Sequence, residues 1–276
     1  MLKRLFQRSQ PAPPAGPSLD GRPPAVPRGV IVYAVGDIHG RLDLLLAMEE
    51  LIEADRREHG RYQDAVVVHL GDMVDRGFDS RRVLDHLGGH HHDGPPRVLL
   101  LGNHDLWLRA FVAAEATDLD LATSWMRYGG DATLVSYGVK ADPRMPEPER
   151  MDAARLELRR RFPAEHAALL DGLDLAFGFG DYFFCHAGIR PEVPLELQNE
   201  ADLLWIREPF LSWTGECGKI VVHGHTVEEA PVTRSNRIGI DTGACWTGRL
   251  TCLVLQGTQR RFVQTGRELP SPAAAG

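Results

Sequence analysis

Cysteine is scarce in this chain and poorly placed for a scaffold role. Cys185, Cys217, Cys245 and Cys252 are the only four in 276 residues, and no two stand as C-x-x-C. A chain of this length builds its own core without disulfide staples, so the thiols read as reduced and mostly buried. A run of 18 apolar residues, the minimum for a membrane-spanning helix, is also missing. The basic start MLKRLFQRSQ passes straight into PAPPAGP without the apolar stretch of a secretory signal. The expectation is therefore a cytoplasmic protein with no membrane partner. Positive charge is in deficit as well: 31 Lys and Arg stand against 38 Asp and Glu, a net charge of -7. No global field exists to hold nucleic acid, and none is expected as a partner. A local cluster of cations or bound metal can still draw a phosphorylated group into an acidic protein.

What is present is balanced for one globular domain, with 43% hydrophobic and 25% charged residues. Residues 7–29 hold seven prolines and almost no periodic apolar pattern. Residues 1–28 thus read as a disordered leader, 29–265 as the domain and 266–276 as a disordered tail. VIVYAV (30–35) has strand length and β-branching, and 41–58 places Leu42, Leu45, Leu46, Met48, Leu51 and Ile52 at largely helical spacing. The pattern recurs as AVVVHL (65–70) before a helix around 80–87, and as RVLLL (97–101) before a helix from Leu106. Three strand-loop-helix units predict a largely parallel sheet.

Further along, PRMPEPER reads as a proline-rich surface stretch, and 151–170 as a helix broken at Pro163. LDLAFGF and DYFFCHAG look like paired strands turning at Gly180-Asp181, followed by strands in KIVVHG, RIGIDTG and RLTCLVLQ. The fold class is α/β: a two-layered β-sandwich flanked by helices.

Each of the first three strands runs into a loop dense in metal-binding residue types: GDIHG (36–40), GDMVDRG (71–77) and GNHD (102–105). Parallel strands deliver such loops to one sheet edge. Two later loops add His186 in HAG and His223 and His225 in HGHT. A carboxylate flanked by neutral nitrogen and oxygen ligands can bridge two divalent ions about 3.5–4 Å apart, which activate water and hold phosphoryl oxygens. Taken singly, G-D-x-H-G is compatible with an ordinary turn, and GNHD with an Asn-capped helix. The ordered set of five loops, each after a strand, points to a dinuclear centre.

These motifs resemble the phosphoprotein phosphatase (Ser/Thr protein phosphatase) family of calcineurin-like metallophosphoesterases, whose signature runs GD-x-HG, GD-x-x-DRG, GNH-D/E and two later histidine loops. The resemblance spans about residues 30–255. It implies Asp37 and His39 on the first metal, Asp72 bridging, and Asn103, His186 and His225 on the second. It also implies His104 as general acid oriented by Asp75, with Arg76 gripping phosphate. Arg207 in LLWIRE is the candidate second phosphate-binding arginine, and Arg190 in HAGIRP the reserve. Two divalent ions are implied, manganese first, with iron or zinc also suited to such ligands.

The partner is then a phosphorylated protein or a small phosphoester. The function expected is a metal-dependent Ser/Thr protein phosphatase acting by metal-activated water. The alternatives are a symmetrical dinucleoside tetraphosphate hydrolase or a small-molecule phosphomonoesterase, and more distantly a non-catalytic metal-binding module. Dinucleoside tetraphosphate hydrolases share GNHDL and the loop order but lack aspartate at the position of Asp75, which ranks protein phosphatase first. Asp105 departs mildly from the glutamate usual in eukaryotic relatives. Other polar residues carry plainer readings. His69 reads as a core residue, His223 as support for the site, Arg109 as a surface cation, and His90, His91 and His92 as a loop patch. Asp241 can brace the site or merely form a turn. The sequence sets no oligomeric state.

Overall fold

The computed structural model describes residue 19 and residues 22–59, 64–89 and 94–266. Strand β1 (Val30–Val35) alternates as its sequence requires: Val32 and Ala34 face one side, and Ile31, Tyr33 and Val35 the other. Parallel to it lies β2 (Asp64–His69), with Val30 opposite Asp64 and Val35 opposite His69, and then β3 (Arg97–Leu99). Helices α1 (Leu42–His59) and α2 (Ser80–Gly88) complete the first two strand-loop-helix units, and α3 (Asn103–Ala113) follows the third. In α1 the residues Leu42, Leu45, Met48 and Ile52 are buried as expected, whereas Leu46 is exposed.

The chain continues through α4 (Leu119–Trp125), a wide π-type turn at Met126–Gly130 and α5 (Asp131–Ser136). Next come α6 (Glu147–Arg161) and α7 (Ala164–Asp171), separated at Pro163 as the sequence predicts. Helix α6 begins inside the stretch expected to be irregular. Pro148 sits in its first turn, where a missing N–H removes no helical bond.

A second sheet holds β4 (Ala176–Phe179), β5 (Tyr182–Cys185), β6 (Ile220–His223), β7 (Val232–Thr233) and β8 (Arg237–Gly239), with α8 (Glu200–Trp205) outside it. Its order is β4-β5-β6-β8-β7, and β5, β6 and β8 run parallel. After the short helix α9 (Ala244–Thr247), β9 (Thr251–Gln256) and β10 (Gln259–Gln264) return antiparallel to the first sheet, ordered β10-β9-β1-β2-β3. The sheets meet through Val32, Ala34, Val68, Leu253 and Leu255 on one side and Tyr182, Phe184, Val222 and Ile238 on the other. The helices close the two outer faces.

Part of the expected leader is built into this sandwich. Residues 22–28 run past two hairpin turns: Val26 N–H donates to Gly257 O at 3.0 Å, and Ala25 O accepts from Asp181 N–H. Arg22 forms a two-pronged ion pair with Asp181. Val26 is 2% exposed, within the inter-sheet core. The composition that suggested disorder gives an extended, proline-stiffened strap here, and burial of Val26 anchors it. Val26→Ala should destabilise the protein by about 1–3 kcal/mol, read as a lower denaturation midpoint with unchanged slope. Residues 1–18, 20, 21 and 267–276, and the triplet His90, His91 and His92, lie outside the described residues.

Candidate metal centre

The loops after β1 and β2 are knitted together by backbone. Ile38 and His39 N–H both donate to Asp72 O, Gly40 N–H to Met73 O, and Gly77 N–H to His39 O. The loop after β3 joins through Asp105, whose carboxylate accepts Met73 N–H and Gly102 N–H, each at 3.0 Å. Gly102 has no substitute there, since a Cβ would run into the backbone nitrogen and carboxylate of Asp72. His39, Asp72, Asp75, Arg76 and His225 all hold positive φ, between 46° and 74°. Non-glycine residues adopt that region at a cost, so the surrounding bonds must impose it.

Asp37, His39, Asp72, Asn103, His186 and His225 are all buried, at most 8% exposed. Two groups have donor atoms within 4.8 Å of one another and could hold a metal: His39, Asp72 and His104, and Asp72, His186 and His225. Asp72 belongs to both. Asp37 adjoins the second group, accepting His225 N–H at 3.1 Å.

The donor atoms fit a cation on their own chemistry. His186 Nδ1 lies 2.9 Å from Leu70 O, so that nitrogen carries the proton and Nε2 presents a lone pair. That lone pair faces Asn103 Oδ1 at 2.9 Å and Asp72 Oδ1 at 3.5 Å, both acceptors. In the same way His39 Nδ1 bonds to Val74 O, leaving Nε2 as a lone pair 3.4 Å from Asp72 Oδ2, where the Arg76 guanidinium now donates to it. Lone pairs crowded this way repel unless a cation lies among them. Burial holds the imidazoles neutral, lowering His39 to about 3 and His225 to about 2, and lowering His186. Burial also opposes ionisation of Asp72, yet its carboxyl is held below the usual range, with the bond from His104 N–H among the causes that keep it ionised. Neutral imidazole beside ionised carboxylate is the protonation state that a divalent ion requires.

His104 has further partners. Its Nδ1–H donates to Asp75 Oδ2 at 2.6 Å, and its Nε2 accepts from the Arg76 guanidinium at 3.0 Å. Asp75 is fully buried and also accepts from Trp125 Nε1–H at 2.8 Å and Thr133 Oγ–H at 2.6 Å. Both come from the helical insert 119–136, which presses on the GDMVDRG loop so closely that Gly129 O accepts Arg76 N–H. A Cβ at Gly129, whose φ is 109°, would strike Arg76. No motif marks Trp125, Thr133 or the bracing role of Asp105, and only the folded insert reveals them.

The remaining expected residues fall into three sorts. Arg190 is engaged by Asp202 through two of its nitrogens, which leaves the reserve phosphate-binding candidate committed to an ion pair. Arg207 is exposed and near enough to His225 to oppose its protonation. His223 is no ligand: it bonds to Gly224 O and Arg237 and packs on Phe210. His69 is buried, as a core residue should be, and Arg109 reaches toward Leu170 O. Asp241 is buried beside Asp37, where burial pushes it up to about 6, and its Oδ1 accepts Gly243 N–H.

Relatives match the chain along most of their length. The chain is 26% identical over 270 residues to a symmetrical bis(5'-nucleosyl)-tetraphosphatase of Methylobacillus flagellatus, covering 82% of this chain and 92% of that one. It is 26% identical to the protein of that name from Cronobacter sakazakii, covering 80% and 89%. Two solved structures share the fold. One is of a candidate diadenosine tetraphosphatase, with TM-score 0.56 and 22% identity over 88% of this chain and 100% of that one. The other is of a Saccharomyces cerevisiae protein serine/threonine phosphatase, with TM-score 0.52 and 15% identity over 88% and 82%. The family model for calcineurin-like phosphoesterases matches residues 31–247, from the first strand to the helix beside Arg76. The chain thus belongs to the calcineurin-like phosphoesterase family, and the convergent histidines and carboxylates are its candidate metal centre.

Proposed function

We propose that the protein is a metal-dependent hydrolase of dinucleoside polyphosphates, splitting the tetraphosphate bridge with water into two nucleoside diphosphates. The likeness to symmetrical bis(5'-nucleosyl)-tetraphosphatases through most of both chains carries this reading. It reverses the order drawn from the DRG triplet, which ranked protein phosphatase first.

On the assignment that the family resemblance implies, Asp37 and His39 would hold one divalent ion, Asn103, His186 and His225 the other, and Asp72 both, although Asp37 lies beside His225; manganese suits these donors, and such a pair would activate water and draw charge from phosphoryl oxygens. Arg76 reaches between His39 and His104, well placed to bind the non-bridging oxygens, with Arg207 as the second cation. As the doubly protonated ring, with Nδ1–H held by Asp75, His104 would give its Nε2 proton to the departing oxygen once Arg76 turns from Nε2 to the phosphoryl oxygens. Thr133→Val removes one of the bonds on Asp75. It should lower kcat about tenfold with little change in KM, a split that distinguishes misorientation of His104 from weakened binding.

One observation favours a second reading, a Ser/Thr protein phosphatase. The fully buried Asp75 bonded to His104 is of most use when the leaving group is an alkoxide, because a nucleoside diphosphate departs readily as an anion. The test compares kcat/KM of manganese-loaded protein on diadenosine tetraphosphate, a phosphothreonine peptide and p-nitrophenyl phosphate. Preference for the dinucleotide, with ADP as product, is expected. Preference for the peptide would restore the protein phosphatase, and preference for p-nitrophenyl phosphate a small-molecule monoesterase. Hydrolysis of none would leave a metal-binding module.

A further inference from the structure

Two aromatic surfaces meet at the phosphate-handling pair. Trp246, on α9, is 64% exposed, and its ring lies under the Arg76 guanidinium with the cation 4.7 Å from the ring centroid. Tyr128, next to the Gly129 that binds Arg76, is 52% exposed and stacks on Trp107 at 5.6 Å and 18°. Trp107 is pinned edge-on between His104 at 5.1 Å and Trp205 at 4.8 Å. Large aromatic rings left this open near a charged catalytic centre forgo burial that a folded core would give them. Both are also held by contacts. Arg76 holds one, and a three-ring cluster holds the other.

We propose that these surfaces are stacking platforms for the two bases of a dinucleotide, one base on Trp246 and the other on the Tyr128–Trp107 stack. The inference rests on the dinucleoside polyphosphate reading and adds where the nucleosides go. Charge and shape agree with it. The metals and Arg76 take the polyanionic bridge at the centre, and the flat, sequence-tolerant faces on its margin take heterocycles. Two platforms also give a reason for a two-base substrate to outrank a one-base substrate carrying the same phosphates.

The experiment measures kcat/KM on diadenosine tetraphosphate, adenosine 5'-tetraphosphate and inorganic tripolyphosphate, which carry two, one and no bases. Wild type is set beside Trp246→Ala, Tyr128→Ala and the aromatic replacements Trp246→Phe and Tyr128→Phe. Each alanine variant should lose about tenfold on the dinucleotide relative to tripolyphosphate, and each phenylalanine variant should recover most of it. An equal loss on all three substrates would overturn the proposal, since the rings would then only be ordering Arg76 or His104. So would alanine variants indistinguishable from wild type. A wild type that prefers the phosphothreonine peptide sinks the substrate class instead; the one-base to no-base ratio still tests stacking at each ring.

Discussion

Asp72→Asn should reduce turnover by at least about 10³-fold on every phosphoester, the scale set by removing charge from a preorganised electrostatic site. The expectation follows from its position in both donor groups: Oδ1 lies 3.5 Å from His186 Nε2, and Oδ2 lies 3.4 Å from His39 Nε2. Asparagine keeps the shape and the bond from His104 N–H to Oδ1, but it places an amide hydrogen or a neutral oxygen where an anion stood between imidazole lone pairs. Bound metal, counted by elemental analysis, should drop from two ions per chain to one or none, with circular dichroism unchanged. A variant that retained two ions and near-normal rates would remove Asp72 from the bridging role.

His104→Asn tests the other half of the centre. Turnover on an alkyl phosphomonoester should fall by about 10²–10⁴-fold, as expected when general acid assistance is lost, while p-nitrophenyl phosphate, whose leaving group needs no proton, should suffer far less. Metal content is the second readout, because His104 lies among the donors of one candidate group, 4.0 Å from Asp72 Oδ2. Its Nδ1–H is engaged by Asp75, which orients Nε2 for either role, so metal content decides between proton delivery and ligation. Loss of an ion together with equal losses on both substrates would make it a ligand.

The sequence conveys the centre better than its surroundings, for physical reasons. An apolar, β-branched run of six residues such as Val30–Val35 announces itself by length and composition, and a long helix such as Leu42–His59 by the spacing of its leucines. The loops between them carry residue types that only metal chemistry gathers. Short elements carry no such signal. The helices Leu119–Trp125, Asp131–Ser136 and Ala244–Thr247 span seven, six and four residues, too few to show a period. Strand Gln259–Gln264 is a polar edge strand, built of Gln, Arg and a single Phe-Val pair. Trp125, Thr133 and Trp246, which set Asp75 and Arg76, lie on those short pieces. Their roles depend on how the insert folds back over the second loop. The strap at 22–28 escaped for the opposite reason: its composition suggests disorder, and one valine seated in the core outweighs it.

The left-handed backbone at His39, Asp72, Asp75, Arg76 and His225 has a consequence for how this protein can change. Each such residue costs on the order of 1–3 kcal/mol, within a total stability of about 5–15 kcal/mol for a typical domain. Selection for heat resistance alone would therefore favour glycine or asparagine at these positions and erase the centre while improving the fold. A lineage that keeps Asp75 and Arg76 in place is under continuous selection for chemistry. A homologue that has relaxed Asp72 or His225 would have given up metal ligation, whatever else of the sandwich it preserves.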